Sequence, residues 1–204
     1  MSNISKFTQD VMLFVPDAPE PVIEVAVKDS VRRMMRETTI ARDISTAKTQ
    51  DCVLDYQLNL PECRTVVAVH AVRVAGRLAQ YEMDGPNQAV LLHQQPRAGA
   101  ALDVDYSWTI KPGACDAPDY IYDDFIDVIR FGALRYMHAM PGQEWSSMPQ
   151  SVFYAAQFDE QVSYIRAKVL NKFYGTNRRI VSPRFVGSST TTSTWNRNRS
   201  FGGF

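Results

Sequence analysis

Apolar residues recur at helical spacing in three long stretches of the chain. Residues 20–38 carry apolar side chains on one side and lysine and arginine on the other, which predicts an amphipathic helix. Pro21 suits its first turn, where a missing backbone N–H breaks no hydrogen bond. The same spacing predicts helices over 119–139 and 149–174, and Gly175 is well placed to cap the last one.

Between the first two helices, over residues 51–111, the apolar period changes to two. Alternation is clearest over 102–110, and residues 65–75 are rich enough in valine and alanine for a strand inside a sheet. Shorter strands are predicted over 52–58, 77–83 and 88–94. Because consecutive strands are joined by short turns, the sheet is predicted to be antiparallel.

Together these patterns predict an α+β fold, with a helical bundle of three main helices, an inserted small antiparallel β-sheet domain and an extended C-terminal tail. The core is assigned to residues 1–175 and the tail to residues 176–204. The tail has neither a helical nor a strand period. Ordering its residues costs about 1 kcal/mol or more of backbone entropy for each, which its few aromatic residues cannot offset within the chain.

Charge is segregated along a chain whose net charge is zero, with 22 basic and 22 acidic residues. The tail has five arginines and no acidic residue, so the rest carries 17 basic and 22 acidic groups, a net charge of −5. A uniformly basic nucleic-acid-binding protein is therefore excluded. A solubilising tail is one interpretation. Trp195, Phe201 and Phe204 are unusual in such segments and favour a peptide that docks along another protein.

The composition is that of a globular protein, with 204 residues of which 45% are hydrophobic and 22% charged. Apolar runs such as 66–69 are far shorter than the roughly 20 residues that cross a bilayer, and the N-terminus lacks the apolar stretch of a signal peptide. Cys52, Cys63 and Cys115 are an odd and scattered set, which argues against a disulfide framework and for buried thiols in a reducing compartment. These features predict a soluble intracellular protein.

No residue pattern in the chain indicates catalysis or cofactor binding. His70, His93 and His138 fall in separate predicted elements, without a second ligand at a zinc-site spacing. The sequence contains no glycine-rich phosphate loop and no serine-nucleophile motif. We therefore expect no metal, no cofactor and no enzymatic activity.

Seven aspartates lie between residues 103 and 127, against a single lysine. Asp103 and Asp105 belong to the polar side of a predicted strand. Asp119, Asp123 and Asp124 lie in the first turns of a predicted helix, where the helix dipole favours negative charge. A structural role accounts for each aspartate. A further interpretation is an acidic surface or channel lining formed by Asp119, Asp123, Asp124 and Asp127.

Residues 14–23, FVPDAPEPVI, lead directly into the first helix, which continues as DSVRRMMRETT over residues 29–39. This opening resembles that of the head-to-tail adaptor (connector) proteins of tailed bacteriophages, in which a V-P-x-x-P approach precedes a helix that ends in a polar segment. The order of elements is similar over essentially the whole chain, because a short β region, a helix pair and a long extended C-terminal tail follow in these adaptors.

The resemblance implies a structural virion protein that forms a ring, commonly of twelve copies, beneath the portal. Such a ring joins the capsid to the tail and continues the DNA channel, at the head–tail interface of a virion assembled in the host cytoplasm. The implied partners are the portal protein, a tail or nozzle protein below, other copies of the chain, and genomic DNA that passes without sequence-specific contact; no membrane is involved. The tail is implied to insert between portal subunits through Arg184, Phe185, Trp195, Arg197, Arg199, Phe201 and Phe204.

Two alternatives from other functional classes stay open. An accessory glycan-degrading enzyme would use the aspartate-rich cluster, and it needs two carboxylates that converge within about 5–10 Å in a concave pocket. An adaptor instead distributes its carboxylates over a surface. A nucleic-acid-binding protein would act through the basic tail, whose five arginines are interleaved with aromatic residues.

Overall fold

The computed structural model of the chain describes residues 3–85, 88–112 and 117–174, which form an α+β fold. Its helices are α1 (Asn3–Met12), α2 (Glu20–Thr38), α3 (Asp119–Asp124), α4 (Ile126–His138) and α5 (Met148–Tyr174). Its strands are β1 (Arg42–Lys48), β2 (Asp55–Gln57), β3 (Arg64–Val74), β4 (Arg77–Leu78), β5 (Tyr81–Asp84), β6 (Ala89–Leu92) and β7 (Ala101–Ile110). The predicted tail lies outside the described residues.

Helix α2 has the bounds that its sequence pattern predicts. Pro19, the residue before the helix, has an extended conformation. Thr39, the residue after it, has a left-handed conformation with φ of 51°. The backbone N–H of Thr39 donates to the carbonyl of Met35, and the Thr38 hydroxyl donates to the carbonyl of Met34 at 2.7 Å. These bonds satisfy carbonyls that the end of a helix otherwise leaves without partners.

The other helices differ from the prediction in two places. Helix α1 was not predicted; Phe7 on this helix is buried and its ring centre lies 4.9 Å from that of Tyr122. The predicted helix over 119–139 is interrupted at Phe125, whose φ of −127° and ψ of 28° are not helical. A single non-helical residue leaves the spacing of apolar residues almost unchanged, which is why the pattern did not reveal this break.

The strands are antiparallel, as predicted, but they form two sheets where a single one was predicted. One has the order β1-β7-β3-β4 and the other has the order β2-β6-β5. Strand β1 was not predicted because its exposure does not alternate, and Ile44 is 58% exposed. The strand predicted over 52–58 is shortened to Asp55–Gln57.

A continuous hydrophobic core extends from the helices into both sheets. Helix α2 contacts α1, α4, α5 and β7. The hydroxyl of Ser30 on α2 donates to the carbonyl of Ile129 on α4 at 2.9 Å. Gly132 allows this close approach, because a Cβ atom there would lie 2.8 Å from the ring of Phe158 on α5 and closer still to the Ser30 hydroxyl. The helices therefore hold the ends of α3 and α5 in fixed positions beside the first sheet.

Candidate functional site

The predicted site residues fall into two groups. All seven predicted portal-docking residues belong to the tail and lie outside the described residues. The acidic residues Asp119, Asp123, Asp124 and Asp127 are all described, and each of them is exposed. The structure thus brings the acidic group together on one part of the surface; its place in a channel stays a prediction.

Helix α3 presents its carboxylates outward because its other side is anchored in the core. Ile121 and Tyr122 are fully buried, whereas the aspartates lie on the exposed side of the helix. Among the residues that the structure describes, Asp123 and Asp124 form no ion pair. Asp127 contacts Arg130 in the next turn, so its charge is partly compensated. We call Asp119, Asp123 and Asp124 the acidic surface.

A groove of about 450 Å³ separates the α3–α4 junction from the C-terminal half of α5. Its floor is apolar and includes Ile40, Val128 and Val169, whereas Asp124 lies at its rim. The α5 side carries Lys168, whose ammonium lies 4.3 Å above the ring of Tyr164, and Lys172. Phe125, where the helix is interrupted, is one of the residues that line this groove.

A second, larger cleft of about 800 Å³ lies between the C-terminal end of α2, the first sheet and α5. Its charged residues are mainly basic and come from three separate elements: Arg33, Arg36, Arg42 and Arg166, with Glu37 and Asp159 as the acidic ones, and His70 of a fourth element also lines it. We call this region the basic cleft. The sequence did not reveal this cleft, because the helical pattern only places the arginines of α2 on the polar side of that helix. No local signal joins them to Arg42 or Arg166.

Arg33 is neutralised inside the basic cleft, but other arginines are not. Its guanidinium lies 2.6 Å from a carboxylate oxygen of Glu37 and 3.6 Å from one of Asp159. Arg36 and Arg166 are exposed and form no ion pair with any described residue. The cleft therefore keeps a positive charge that its own walls do not balance.

The positive charge of the cleft affects the pKa of His70. Burial lowers the pKa of His70, and the nearby guanidinium of Arg42 lowers it further, while the carboxylate of Asp105 acts in the opposite direction. Its Nε2 atom is shielded from solvent and has no hydrogen-bond partner among the described residues. The neutral imidazole is thus favoured at neutral pH.

Three carboxylates line a pocket of about 730 Å³ beside β1. Asp43 belongs to β1, Asp105 to β7 and Asp124 to α3. Asp43 lies 3.4 Å from the guanidinium of Arg64, which in turn stacks on the ring of Trp108 at 3.8 Å. The aspartates singled out from the sequence are therefore distributed over β7, α3 and α4, but two of them meet at one pocket.

A buried tyrosine, Tyr106, and a tyrosine that is 45% exposed, Tyr120, border the same region. Burial raises the pKa of Tyr106, and the carboxylate of Asp43 raises it further against an opposing effect of Arg64. Burial also raises the pKa of Tyr120, whose ring lines the carboxylate pocket, although Arg64 partly offsets the effect there. Both phenols are neutral hydrogen-bonding groups at neutral pH.

His138 has a structural environment, and the described residues contain no metal-binding cluster. His138 is buried, its Nδ1 donates to the carbonyl of Trp145 at 2.7 Å, and its ring stacks on Tyr154 at 5.6 Å, which is a structural role. No group of three His, Cys, Asp or Glu residues suitable for a metal occurs within residues 3–85, 88–112 and 117–174.

The expectation of buried free thiols is wrong for two cysteines. Cys52 is an exposed free thiol, and Cys63 is disulfide-bonded. The sequence could not show the disulfide of Cys63, because the start of β3 meets the end of β7 only in the folded sheet. There the backbone N–H of Lys111 donates to the carbonyl of Cys63 at 2.9 Å.

No protein-family model matches this chain, and a search of curated proteins finds no significant relative. None of the helices in the described part of the chain is both long and apolar enough to span a membrane.

Proposed function

We propose that this chain is a head-to-tail adaptor of a tailed bacteriophage, a non-enzymatic virion protein that forms a ring beneath the portal. The observation that carries the proposal is the order of elements. Helix α2 begins at Glu20, within the FVPDAPEPVI segment, all seven strands of the described residues lie between α2 and α3, and α4 and α5 form an antiparallel pair before the tail. This is the order that the resemblance to such adaptors implies.

In this proposal α2, α4 and α5 are the three main helices of the adaptor bundle and the two sheets are its inserted domain. Two hydrogen bonds support treating the helices as one unit. Ser30 joins α2 to α4, and the hydroxyl of Ser151 on α5 donates to the carbonyl of Arg135 on α4 at 3.0 Å. The ring, commonly of twelve copies in these adaptors, would join the capsid to the tail, contact a tail or nozzle protein below and let genomic DNA pass without sequence-specific contact.

The tail is the portal-binding element of the proposal. At roughly 3.3 Å per residue, residues 176–204 reach about 95 Å when extended, which is enough to climb onto a neighbouring ring. A buried aromatic side chain covers about 150–250 Å², or about 4–6 kcal/mol gross at roughly 25 cal/mol per Å². We assign the anchoring to Trp195, Phe201 and Phe204, with Arg197 and Arg199 pairing to acidic groups of the portal.

The test is binding to the portal protein encoded in the same genome, measured by co-sedimentation with portal rings. Deleting residues 195–204 should leave a folded, soluble core that no longer joins the portal. Trp195→Ala should weaken joining more than Arg184→Ala, because a lost aromatic anchor removes more buried area than an arginine near the folded body. Equal binding by the truncated and full-length chains would show that the tail is only a solubilising extension.

The ring is expected to form on the portal and not before it. The isolated chain should be a monomer or weak oligomer at micromolar concentration, because its zero net charge and moderate apolar fraction do not demand an obligate oligomer. Analytical ultracentrifugation measures this directly. A stable ring at micromolar concentration without portal would contradict the expectation.

A second candidate function is glycan hydrolysis, which the carboxylate pocket favours. Asp105 and Asp124 come from different elements and line one concavity, as a pair of catalytic carboxylates must. An assay for reducing ends released from bacterial cell-wall and capsular glycans tests it. Activity that is abolished by Asp105→Asn and Asp124→Asn together would favour the enzyme over the adaptor.

A further inference from the structure

The C-terminal half of α5 has differently charged surroundings on its two sides. Ser163, Arg166 and Leu170 line the basic cleft, whereas Lys168 and Lys172 line the groove that Asp124 borders. At 100° per residue, these two sets of side chains point in nearly opposite directions. Asp124 of the acidic surface therefore borders the side of this helix that faces away from the basic cleft, although Arg42 lines both the cleft and the carboxylate pocket of Asp124.

The cleft presents positive charge that is open to a partner. Arg36 and Arg166 come from α2 and α5, are exposed, and have no ion pair in the part of the chain that the structure describes. The acidic groups of the cleft are already engaged, because Glu37 and Asp159 both contact Arg33. An acidic ligand would find two unused guanidinium groups on facing walls.

The acidic surface presents the complementary charge. Asp123 and Asp124 are exposed, carry no ion pair within the described ranges, and stand on a helix whose inner side is fully buried. On α5, Lys168 lies over the ring of Tyr164, and Lys172 has an interaction partner. The carboxylates are therefore available to a basic partner outside the chain.

We propose that the basic cleft of one copy binds the acidic surface of the next copy, side by side, with Arg36 and Arg166 facing Asp123 and Asp124. Because the two surfaces are made of different residues, the contact is heterologous, and such contacts close into rings when the rotation between copies permits. This interface rests on the ring proposed above and specifies which surfaces build it. Charge complementarity gives such an interface its register and excludes wrong partners.

The test uses charge reversal in the full-length chain. One variant carries Arg36→Glu and Arg166→Glu, and the other carries Asp123→Lys and Asp124→Lys. Sedimentation velocity at low ionic strength, with protein up to about 0.5 mM, should show concentration-dependent association of the unchanged chain and an association constant at least tenfold lower for each variant alone. An equimolar mixture of the two variants should associate again, because each reversed surface then meets its complement.

Two controls separate charge at the interface from general effects. Arg77→Glu with Arg97→Glu reverses two exposed arginines outside the cleft and should leave association unchanged. Circular dichroism and thermal unfolding check that every variant is folded, and Asp123→Asn with Asp124→Asn replaces the lysine variant if the latter unfolds. The neutral variant should also associate more weakly than the unchanged chain.

The outcomes are distinct. Recovery in the mixture supports the interface. No association of the unchanged chain up to about 0.5 mM, or variants that associate as well as it does, would overturn the interface while leaving portal binding by the tail intact. If the cleft variant self-associates normally but loses binding to portal rings or to duplex DNA, the cleft serves that partner and the proposal is wrong. Loss of portal binding in all chains would instead refute the adaptor function.

Discussion

Gly132 is the position where a single methyl group should most disturb the helical core. It lies in α4 where this helix crosses α2 and α5. A Cβ atom there would lie 2.8 and 2.9 Å from two ring carbons of Phe158 and closer still to the hydroxyl of Ser30. Phe158 is fully buried, so its ring cannot move into solvent. Gly132→Ala should therefore destabilise the chain, although alanine is the better helix former.

The size of the effect follows from three contributions. Overpacking of a dense core costs about 1–3 kcal/mol. Displacing the Ser30 hydroxyl loses its hydrogen bond to the Ile129 carbonyl, worth about 0.5–1.5 kcal/mol. Replacing glycine by alanine in a helix returns about 1 kcal/mol. The net expectation is a loss of about 1–3 kcal/mol in the free energy of unfolding, or a Tm about 2–10 °C lower for a chain of this size.

Urea unfolding of the full-length chain, followed by circular dichroism, measures this loss. Gly85→Ala is the matched control, because a Cβ atom there has no neighbour within 4 Å, and its stability should be unchanged or slightly higher. Adding Ser30→Ala to Gly132→Ala removes one of the clashes, so the double variant should be less destabilised than the sum of the two single ones. A Gly132→Ala chain that is about 1 kcal/mol more stable, as helix propensity alone predicts, would refute the packing argument.

Three further predictions concern charge and pH. Asp123→Asn with Asp124→Asn should change Tm in thermal unfolding by no more than about 2–4 °C, because both residues are exposed at the C-terminal end of α3 and surface substitutions usually change stability by no more than about 0.5 kcal/mol each. The dipole stabilisation expected for a first turn does not apply there, and a larger loss would mean that these carboxylates are part of the fold. His70 has a pKa below 6.5, lowered by burial and then by a neighbouring arginine. The folded state therefore binds fewer protons than the unfolded state, so stability is complete above pH 6.5 and falls as the pH drops through the lowered pKa. Tm measured from pH 8 to pH 5 should decline less in His70→Gln than in the unchanged chain. Equal declines would contradict this assignment. Tyr106 and Tyr120 have raised pKa values, mainly from burial, so stability should be complete below pH 10 and fall as the pH rises through the folded-state pKa values. Tyr120→Phe should reduce that alkaline loss of stability in a pH series of thermal melts. Equal losses in the variant and the unchanged chain would count against it.

Elements with strong local patterns could be predicted from the sequence. Helix α2 has the predicted bounds, and α5 begins one residue before the predicted start. Strand β7, Ala101–Ile110, was predicted from its alternating apolar residues; burial alternates over its first half, whereas Ser107 and Thr109 on the polar side of its second half are buried as well. In each case the burial of one side repeats along the element, and a repeated pattern is what a sequence can display.

Elements without such a repeat were missed or misjudged. Strand β1 is an edge strand whose residues are mostly exposed, so its period carries no information. The break at Phe125 occupies one residue and leaves the helical spacing intact. Strand β3 was predicted, but the irregular pairing between Val66 and Ala68 and again between Val69 and Ala71 was not, because its run of valine and alanine gives no sign of a register shift.

The charged surfaces divide in the same way. The acidic surface was found in the sequence because its aspartates lie within one short helix, where sequence neighbours are also neighbours in space. The basic cleft and the carboxylate pocket were not found, since their residues come from α2, β1, β3, β7, α3 and α5 and meet only through long-range packing. The sequence by itself therefore determined the local elements and the segregation of charge along the chain. Only the tertiary structure decided which charges face one another across a cleft, because that depends on how the helices cross and where the sheet edge lies.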